Sequence, residues 1–255
     1  MHGALHIWRM VAEKIRAVYS AAFKPFRCER CFKSTAGTLL CPSCHSKMLS
    51  RAALPDKERR CSVCGKILLS EGLKCMECRE SPVLVTPGAV HVIFPYRLWG
   101  KRLLFLWKIR GERSLSPVMA SFAAERINSL YPPASGVRPV LVPVPPRPGK
   151  IREKGWDQVR EMCSFLRSRY GFKVMDVLER KSRVQQKKLD RAGRLGHEGA
   201  SFSVRRRRLS ARNLPPHVML IDDVLTTGAT MQGCAEALKQ AGCVKIEVLA
   251  LFVVD

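Results

Sequence analysis

Two acids and a hydroxyl-rich loop follow one apolar run and form the chemically most informative segment of the chain. Residues 218–221 are continuously apolar, which predicts a buried parallel strand. Asp222 and Asp223 come next, and carboxylates there can accept hydrogen bonds from sugar hydroxyls. Residues 226–230 predict a loop whose hydroxyls, backbone N–H groups and helix start offer donors to an anion. The segment therefore suits a phosphorylated sugar with free hydroxyls.

The order of these elements closely resembles the 5-phosphoribosyl-1-pyrophosphate (PRPP) site of type I phosphoribosyltransferases. The resemblance implies that Asp222 and Asp223 are catalytic and hold the ribose hydroxyls, with Mg²⁺ neutralising the pyrophosphate. It also implies that the 5-phosphate binds the loop, whose residues are Thr226, Thr227, Gly228, Ala229 and Thr230. The alternative interpretation is a buried strand with an acidic end, followed by an ordinary threonine N-cap.

The cysteines form a second group with an evident chemistry. Eight of the 11 cysteines lie in four C-x-x-C pairs, a spacing that is typical of tetrahedral zinc–thiolate sites in reduced proteins. Two pairs form one site, so the sequence predicts two structural Zn²⁺ ions, with disulfides or redox-active motifs as alternatives. Sequential pairing is the simplest arrangement, and interleaved pairing stays open. The ligands are Cys28, Cys31, Cys41, Cys44, Cys61, Cys64, Cys75 and Cys78.

The net charge of +24 in 255 residues attracts polyanions, which include nucleic acid, anionic membranes and phosphorylated substrates. No stretch reaches the ~20 apolar residues of a membrane-spanning helix, and charges interrupt any N-terminal signal peptide. We therefore expect a cytoplasmic protein. Residues 1–25 predict a basic amphipathic helix that packs on protein or lies on the inner face of the membrane. A candidate nucleic-acid contact, with a solvated loop as the alternative, is the run Arg205, Arg206, Arg207 and Arg208.

Strands and helices alternate beyond residue 88, which predicts a doubly wound, mostly parallel α/β sheet. Ligands bind beyond the carboxyl ends of such strands, so the loops after residues 143, 178 and 223 are expected to meet over one site. Residues 179–199 are basic, polar and patternless, which predicts a long, lid-like loop. Further predicted strands are 90–96, 139–145, 174–178, 202–204 and 248–254, and predicted helices are 101–110, 117–130, 157–170 and 231–240.

The order of zinc ribbon, Pro-Val-Pro loop, lid and Asp-Asp-Val-Leu-Thr-Thr-Gly closely resembles the ComF family over nearly the whole chain beyond residue 26. Lys108 and Gly111 fit the family's Lys-aromatic-x-Gly helix end, and residues 155–158 fit its Gly-Phe-Asn-Gln segment. The resemblance implies a pyrophosphate loop that contains Pro145, Pro146, Arg147, Arg152 and Lys154. It also implies a lid in which Arg180, Lys181 and Arg183 either close over the ligand or remain solvated.

Three positions depart from the family pattern. Lys154 stands in place of an arginine, and Asp157 and His197 each stand in place of an asparagine. Lysine lacks the bidentate recognition of oxyanions that arginine offers. A carboxylate at position 157 would repel pyrophosphate if its side chain faced the ligand. These departures bear on catalysis more than on ligand binding.

Two functions follow from the resemblance. The first is a PRPP-dependent phosphoribosyltransferase of unknown acceptor that acts in the uptake of single-stranded DNA during natural transformation, with which the family is associated. The second is a non-catalytic sensor of PRPP or a nucleotide that joins single-stranded DNA to an uptake helicase or a membrane channel component. Both share one organisation, with an N-terminal helix at 1–25, a double zinc ribbon at 26–80 and a type I phosphoribosyltransferase-like domain at 88–255.

Overall fold

Short elements make up the cysteine-rich part of the chain. The computed structural model describes residues 26–35, 39–53, 60–68, 72–180, 202–205 and 214–254, so the predicted helix at 1–25 lies outside the described residues. The chain divides into two units between Lys47 and Met48. The first elements are an antiparallel pair of strands and two helices: β1 (Phe26–Arg27), β2 (Ser34–Thr35), α1 (Pro42–Ala53) and α2 (Met76–Glu80).

Longer strands and helices alternate beyond the cysteines, as the sequence predicts. The strands are β3 (Ala89–Pro95), β4 (Val140–Pro143), β5 (Leu178–Arg180), β6 (Phe202–Val204), β7 (His217–Leu225) and β8 (Lys245–Val253). The helices are α3 (Leu98–Lys108), α4 (Ser116–Leu130), α5 (Lys150–Lys154), α6 (Gln158–Tyr170) and α7 (Ala229–Gln240). Two short 3-10 helices cover Arg113–Leu115 and Pro133–Ser135.

A parallel four-stranded sheet in the order β3-β8-β7-β4 forms the centre of the second unit. Its register aligns Val90 with Val248 and Val218 with both Ile246 and Val140. The apolar run of β7 is fully buried and β8 is buried from Ile246 onward, because helices cover both faces of a parallel sheet. The predicted fold class, a type I phosphoribosyltransferase-like α/β sheet preceded by a small cysteine-rich region, is confirmed.

The strand predicted at 174–178 is wrong in extent. Val174 makes only one isolated parallel bridge, to Leu141, and the strand begins later, at Leu178. That strand, β5, pairs with β6 in an antiparallel register that sets Leu178 against Val204. The local apolar run indicated a strand, but the edge on which it pairs is decided by distant residues. Residues 181–200, the greater part of the predicted lid, lie outside the described residues.

A buried carboxylate lies near the amino ends of the central strands. Glu247 on β8 is 3% exposed and receives hydrogen bonds from the Tyr131 hydroxyl at 2.5 Å and the Lys245 ammonium at 2.8 Å. His91 Nε2 lies 3.1 Å from its other oxygen. Burial alone would raise the pKa of Glu247, but these hydrogen bonds outweigh it and hold the pKa well below its usual range. The carboxylate is therefore ionised and fully paired.

No helix in the described ranges combines the length and the apolar character that crossing a bilayer requires.

Candidate functional site

The first four-cysteine cluster has the geometry of a tetrahedral metal site. The sulfurs of Cys28, Cys31, Cys41 and Cys44 all lie within 4.8 Å of one another. Cys31 Sγ and Cys41 Sγ are 3.7 Å apart. A zinc–sulfur bond of about 2.3 Å places neighbouring tetrahedral ligands about 3.8 Å apart, so the four sulfurs fit Zn²⁺.

The second four-cysteine cluster has the same geometry. The sulfurs of Cys61, Cys64, Cys75 and Cys78 lie within 4.8 Å of one another, and Cys64 Sγ and Cys75 Sγ are 3.7 Å apart. Gly65 makes the tight turn, with a φ of 72° and its N–H donating to the Cys61 carbonyl at 2.9 Å. The structure thus groups the four pairs sequentially, which is the simpler of the two arrangements that the spacing allowed.

The thiols of each cluster differ in acidity, which shows why a cation suits the site. Burial opposes ionisation of Cys28, but backbone N–H groups outweigh it and lower the pKa to about 6. Burial and the neighbouring sulfurs raise the pKa of Cys44 to about 12. The second cluster shows the same division, with a pKa of about 6 at Cys61 and, through burial, about 12 at Cys78. Four thiolates therefore need a divalent cation to ionise together.

The hydroxyl-rich loop joins the end of β7 to the start of α7, as predicted. Thr226 and Thr227 are exposed, and α7 begins at Ala229. Thr227 Oγ1 lies 3.4 Å from the Ala229 N–H, which it can accept. The first N–H groups of a helix have no intrahelical acceptor, so this helix start presents donors and a positive dipole end. The loop therefore offers hydrogen-bond donors to an anion.

Gly228 and Leu84 fix the conformation of this loop. Gly228 has a φ of 89°, and a Cβ atom added there would lie 2.7 Å from Leu84 Cγ. Gln232 on α7 holds the same linker, because its Oε1 accepts the N–H groups of Val85 and Thr86 at 3.0 Å each. The linker between the second cysteine cluster and β3 therefore braces the loop from one side.

The two acids occupy different environments although they are adjacent. Side chains of consecutive strand residues point to opposite faces of a sheet. Asp222 is half-buried and its Oδ1 accepts the Asp223 N–H at 2.8 Å, whereas Asp223 is 2% exposed. Burial, and then the charge of Asp223, raise the pKa of Asp222 well above its usual range. Asp222 is therefore the more accessible of the two carboxyls.

Asp223 is held by two side chains, Lys108 and Gln158. Both belong to segments that fit the family motifs, but neither was among the predicted site residues. Lys108, the last residue of α3, brings its ammonium to 3.0 and 2.9 Å from the two carboxylate oxygens. Gln158 Nε2 donates to Oδ2 of the same carboxylate. Burial lowers the pKa of Lys108, but the charge of Asp223 outweighs it and raises that pKa. The Lys-x-x-Gly helix end and the Gly-Trp-Asp-Gln segment were the available sequence clues.

The predicted pyrophosphate loop begins where β4 ends. Pro145 is buried, Pro146 is half-buried and Arg147 is exposed. Arg147 pairs with Glu153 at 2.5 Å, both side chains being more than half exposed. This pair therefore contributes little to stability and can separate for an anion.

Helix α5 follows directly and had not been predicted. Its Arg152 and Lys154 are exposed. The Lys154 ammonium donates to the Lys108 carbonyl at 3.2 Å, which links the helix to the end of α3. All three predicted pyrophosphate-side cations, Arg147, Arg152 and Lys154, thus lie on the same short segment, and Lys154 contacts the backbone of the residue that holds Asp223.

Asp157 has a structural role that explains its departure from the family asparagine. It is the N-cap of α6, where its side chain accepts the Arg160 N–H at 2.9 Å. It also pairs with the Lys150 ammonium at 2.7 Å and is 6% exposed. Aspartate and asparagine cap helices about equally well. The carboxylate is thus directed into the protein and paired, and does not stand as a free charge beside a pyrophosphate.

The structure describes only the first two residues of the predicted lid and the first residue of the predicted nucleic-acid run. Arg205 pairs with Glu179 at 3.2 Å, and the guanidinium of Arg180 lies over the Phe202 ring at 5.3 Å. The rest of the run and of the lid lies outside the described residues, namely Arg206, Arg207, Arg208, Lys181, Arg183 and His197.

The remaining cysteines are buried, as expected of core thiols, and burial raises the pKa of Cys163, Cys234 and Cys243.

The class defined by these features is a phosphoribosyltransferase-like α/β chain with a double zinc-ribbon-like segment in front of it. A scan against protein-family models finds no match. A search of curated proteins finds similarity to competence protein ComFC of Streptococcus pneumoniae (strain ATCC BAA-255 / R6), with 29% identity over 194 residues. The similarity covers 76% of this chain and 80% of that relative. With the two four-cysteine clusters, it confirms the resemblance to the ComF family.

Proposed function

We propose that this chain binds Mg-PRPP beyond the carboxyl ends of β4 and β7. The observation that carries the proposal is the order of acid pair, braced glycine loop and helix start along β7 and α7. The loop at residues 226–230 receives the 5-phosphate through N–H groups and hydroxyls. The acid pair at 222–223 supplies carboxylate for the ribose hydroxyls, and the cation-bearing segment after β4 serves the pyrophosphate.

In the reaction that such a site supports, the bond between ribose C1 and pyrophosphate breaks while a bond to an acceptor base forms. The protein contributes positioning and stabilisation of the developing charges. Bound Mg²⁺ supplies charge neutralisation of the pyrophosphate. The enzyme proposed is therefore a phosphoribosyltransferase whose acceptor is still to be identified.

The proposed process is the uptake of single-stranded DNA during natural transformation. Support comes from the similarity to a competence protein and from the net charge of +24, which favours polyanions. The Zn²⁺-loaded cysteine clusters serve for docking to DNA, an uptake helicase or a membrane channel component. The protein then acts in the cytoplasm, peripheral to the inner face of the membrane.

Titration calorimetry of the zinc-loaded chain with Mg-PRPP tests the binding proposal. We expect binding in the wild type and its loss when Asp222→Asn and Asp223→Asn are combined. Glu125→Gln on α4 removes one negative charge outside the site and should bind as the wild type does. Binding that survives the double substitution, or that is absent from the wild type, would refute the site.

Release of pyrophosphate in the presence of a pool of nucleobases then separates catalysis from sensing. Release that requires both a base and the two aspartates supports a transferase. Binding without release supports the second candidate, a PRPP-sensing adaptor, which the replacement of arginine by Lys154 and the high positive charge favour. The adaptor also predicts binding of single-stranded DNA that weakens strongly as the salt concentration rises, because contacts to phosphates carry it.

A further inference from the structure

Two lysines from separate segments are linked to the buried Asp223, and a third lysine contacts the backbone of one of them. Lys108 ends α3, whereas Lys150 and Lys154 belong to α5. Lys108 contacts Asp223 directly, and Lys154 donates to the Lys108 carbonyl at 3.2 Å. Lys150 reaches Asp223 through Gln158, whose Oε1 accepts from Lys150 and whose Nε2 donates to Asp223. The buried carboxylate of Asp223 therefore binds the Lys108 ammonium directly, while Lys150 also pairs with Asp157 at 2.7 Å.

The oxygens of Asp223 are already occupied by these partners. Oδ1 accepts from Lys108, and Oδ2 accepts from Gln158 and lies 2.9 Å from the same ammonium. With a side chain that is only 3% exposed, Asp223 has little surface left for a sugar hydroxyl. Asp222 is half-buried, and its Oδ1 accepts the backbone N–H of its neighbour. The two acids are therefore suited to different tasks.

The Lys108 ammonium is placed to meet a ligand. A lysine ammonium carries three donors, and two short contacts to Asp223 leave donor capacity free. The Lys108 side chain is 33% exposed, so it is not sealed behind the protein surface. Lys154, which contacts its backbone carbonyl, and Gln158, which shares Asp223 with it, both come from the segment that follows the Pro-rich loop after β4. The ammonium therefore lies on the pyrophosphate side of the proposed ligand.

We propose that Asp223 is a positioning residue that holds Lys108 as a fixed cation for the pyrophosphate of PRPP, while Asp222 alone meets the ribose hydroxyls. The inference rests on the proposed function and assigns different parts of the ligand to residues that the sequence treated as an equivalent pair. A cation held in place by a buried carboxylate requires little reorganisation when a polyanion arrives. The charge of Asp223 also keeps Lys108 protonated, since it raises the pKa of that lysine.

The test compares the affinities of Mg-PRPP and ribose 5-phosphate, which lacks the pyrophosphate, by titration calorimetry on the full zinc-loaded chain. Lys108→Met is expected to weaken Mg-PRPP on the order of 10- to 100-fold, the range for losing one charge-assisted contact, and to leave ribose 5-phosphate within about 2-fold. Lys101→Met is the matched control, because Lys101 is an exposed lysine of the same helix. It should leave both affinities unchanged.

Substitutions of Asp222 and Asp223 form the second part of the same experiment. Asp223→Asn should weaken Mg-PRPP selectively, as Lys108→Met does, because it releases the lysine. Asp222→Asn should weaken both ligands alike, because both carry the ribose hydroxyls. Lys108→Arg, which keeps the charge, should recover most of the Mg-PRPP affinity and remains informative if the methionine variant does not fold.

The inference is overturned if Lys108→Met weakens both ligands equally, or if Asp223→Asn behaves as Asp222→Asn does. It is also overturned if Mg-PRPP binds the wild type and Lys108→Met with equal affinity. A wild type that binds neither ligand refutes the proposed function itself, and this outcome differs from every outcome that concerns Lys108 alone.

Discussion

Substituting Gly228 by alanine tests whether the linker braces the phosphate loop. A Cβ atom at this position would lie 2.7 Å from Leu84 Cγ, and the backbone φ is 89°. The left-handed backbone costs a residue with a side chain about 1–2 kcal/mol, and crowding a packed side chain costs about 1–3 kcal/mol. We therefore expect Gly228→Ala to lower the free energy of unfolding by about 2–5 kcal/mol.

Gly171→Ala is the control that separates the cost of the left-handed backbone from the cost of the clash with Leu84. Gly171 has a φ of 69°, but no heavy atom lies within 4 Å of the Cβ that would be added. This control should therefore lose only the backbone term, about 1–2 kcal/mol. Urea unfolding followed by tryptophan fluorescence measures both variants. The clash should move the midpoint of Gly228→Ala about 1 M below that of the control.

A double-mutant cycle with Leu84→Ala identifies the partner in the clash. Leu84→Ala alone should cost about 2–5 kcal/mol, because it empties a buried position. Combined with Gly228→Ala, it makes room for the new methyl group, so the double variant should be more stable than additivity predicts by about 1–3 kcal/mol. Strict additivity, or equal midpoints for the alanines at 228 and 171, would refute the account of the braced loop.

Three further outcomes are expected. Metal analysis should give two zinc ions for the wild type and one for either Cys31→Ser or Cys61→Ser, in line with the two clusters; unchanged stoichiometry would contradict independent sites. Asp157→Asn should keep the helix cap and lose only the ion pair with Lys150, whereas Asp157→Ala should lose both and cost about 1–2 kcal/mol more in urea melts. The lowered pKa of Glu247 means that its stabilisation is complete above its usual pKa of 4.5 and is lost as pH falls below that value. Glu247→Gln should therefore cost about 3 kcal/mol at neutral pH and reduce the acid sensitivity of the urea midpoint, and an unchanged pH profile would count against the buried network.

The parts of the fold that could be predicted are those determined by residues close together in the sequence. The strand, loop and helix over residues 217–240 follow from an apolar run, a glycine break and a periodic helix, and the structure places them there. Cysteine spacing likewise identified the knuckles, because each C-x-x-C pair specifies its own tight turn. Fold class then followed from the alternation of strands and helices.

The parts that could not be predicted depend on contacts between distant residues. Nothing local shows that Lys108 pairs with Asp223, since the two are 115 positions apart. The helical role of Asp157 was equally hidden, because an acid before a helix can cap it or face a ligand. Leu178 pairs with Val204 across residues whose pattern gives no register. The chemistry of the site could therefore be predicted from the residue types and their order in the sequence. The partners of each side chain could be identified only from the folded structure.

The position of β3 at the edge of the sheet has a consequence for synthesis on the ribosome. β3 is hydrogen-bonded only to β8 within the described strands, and His91 and Glu247, which meet between these strands, are 156 positions apart. At about 5–20 residues per second, translation separates them by roughly 8 to 30 seconds. During that interval an apolar strand has no neighbour and its edge can pair with other chains. Both cysteine clusters draw on ligands at most 17 positions apart, so they can load metal while the sheet still awaits its partner strand. Zinc supplied early during expression should therefore raise the yield of folded protein.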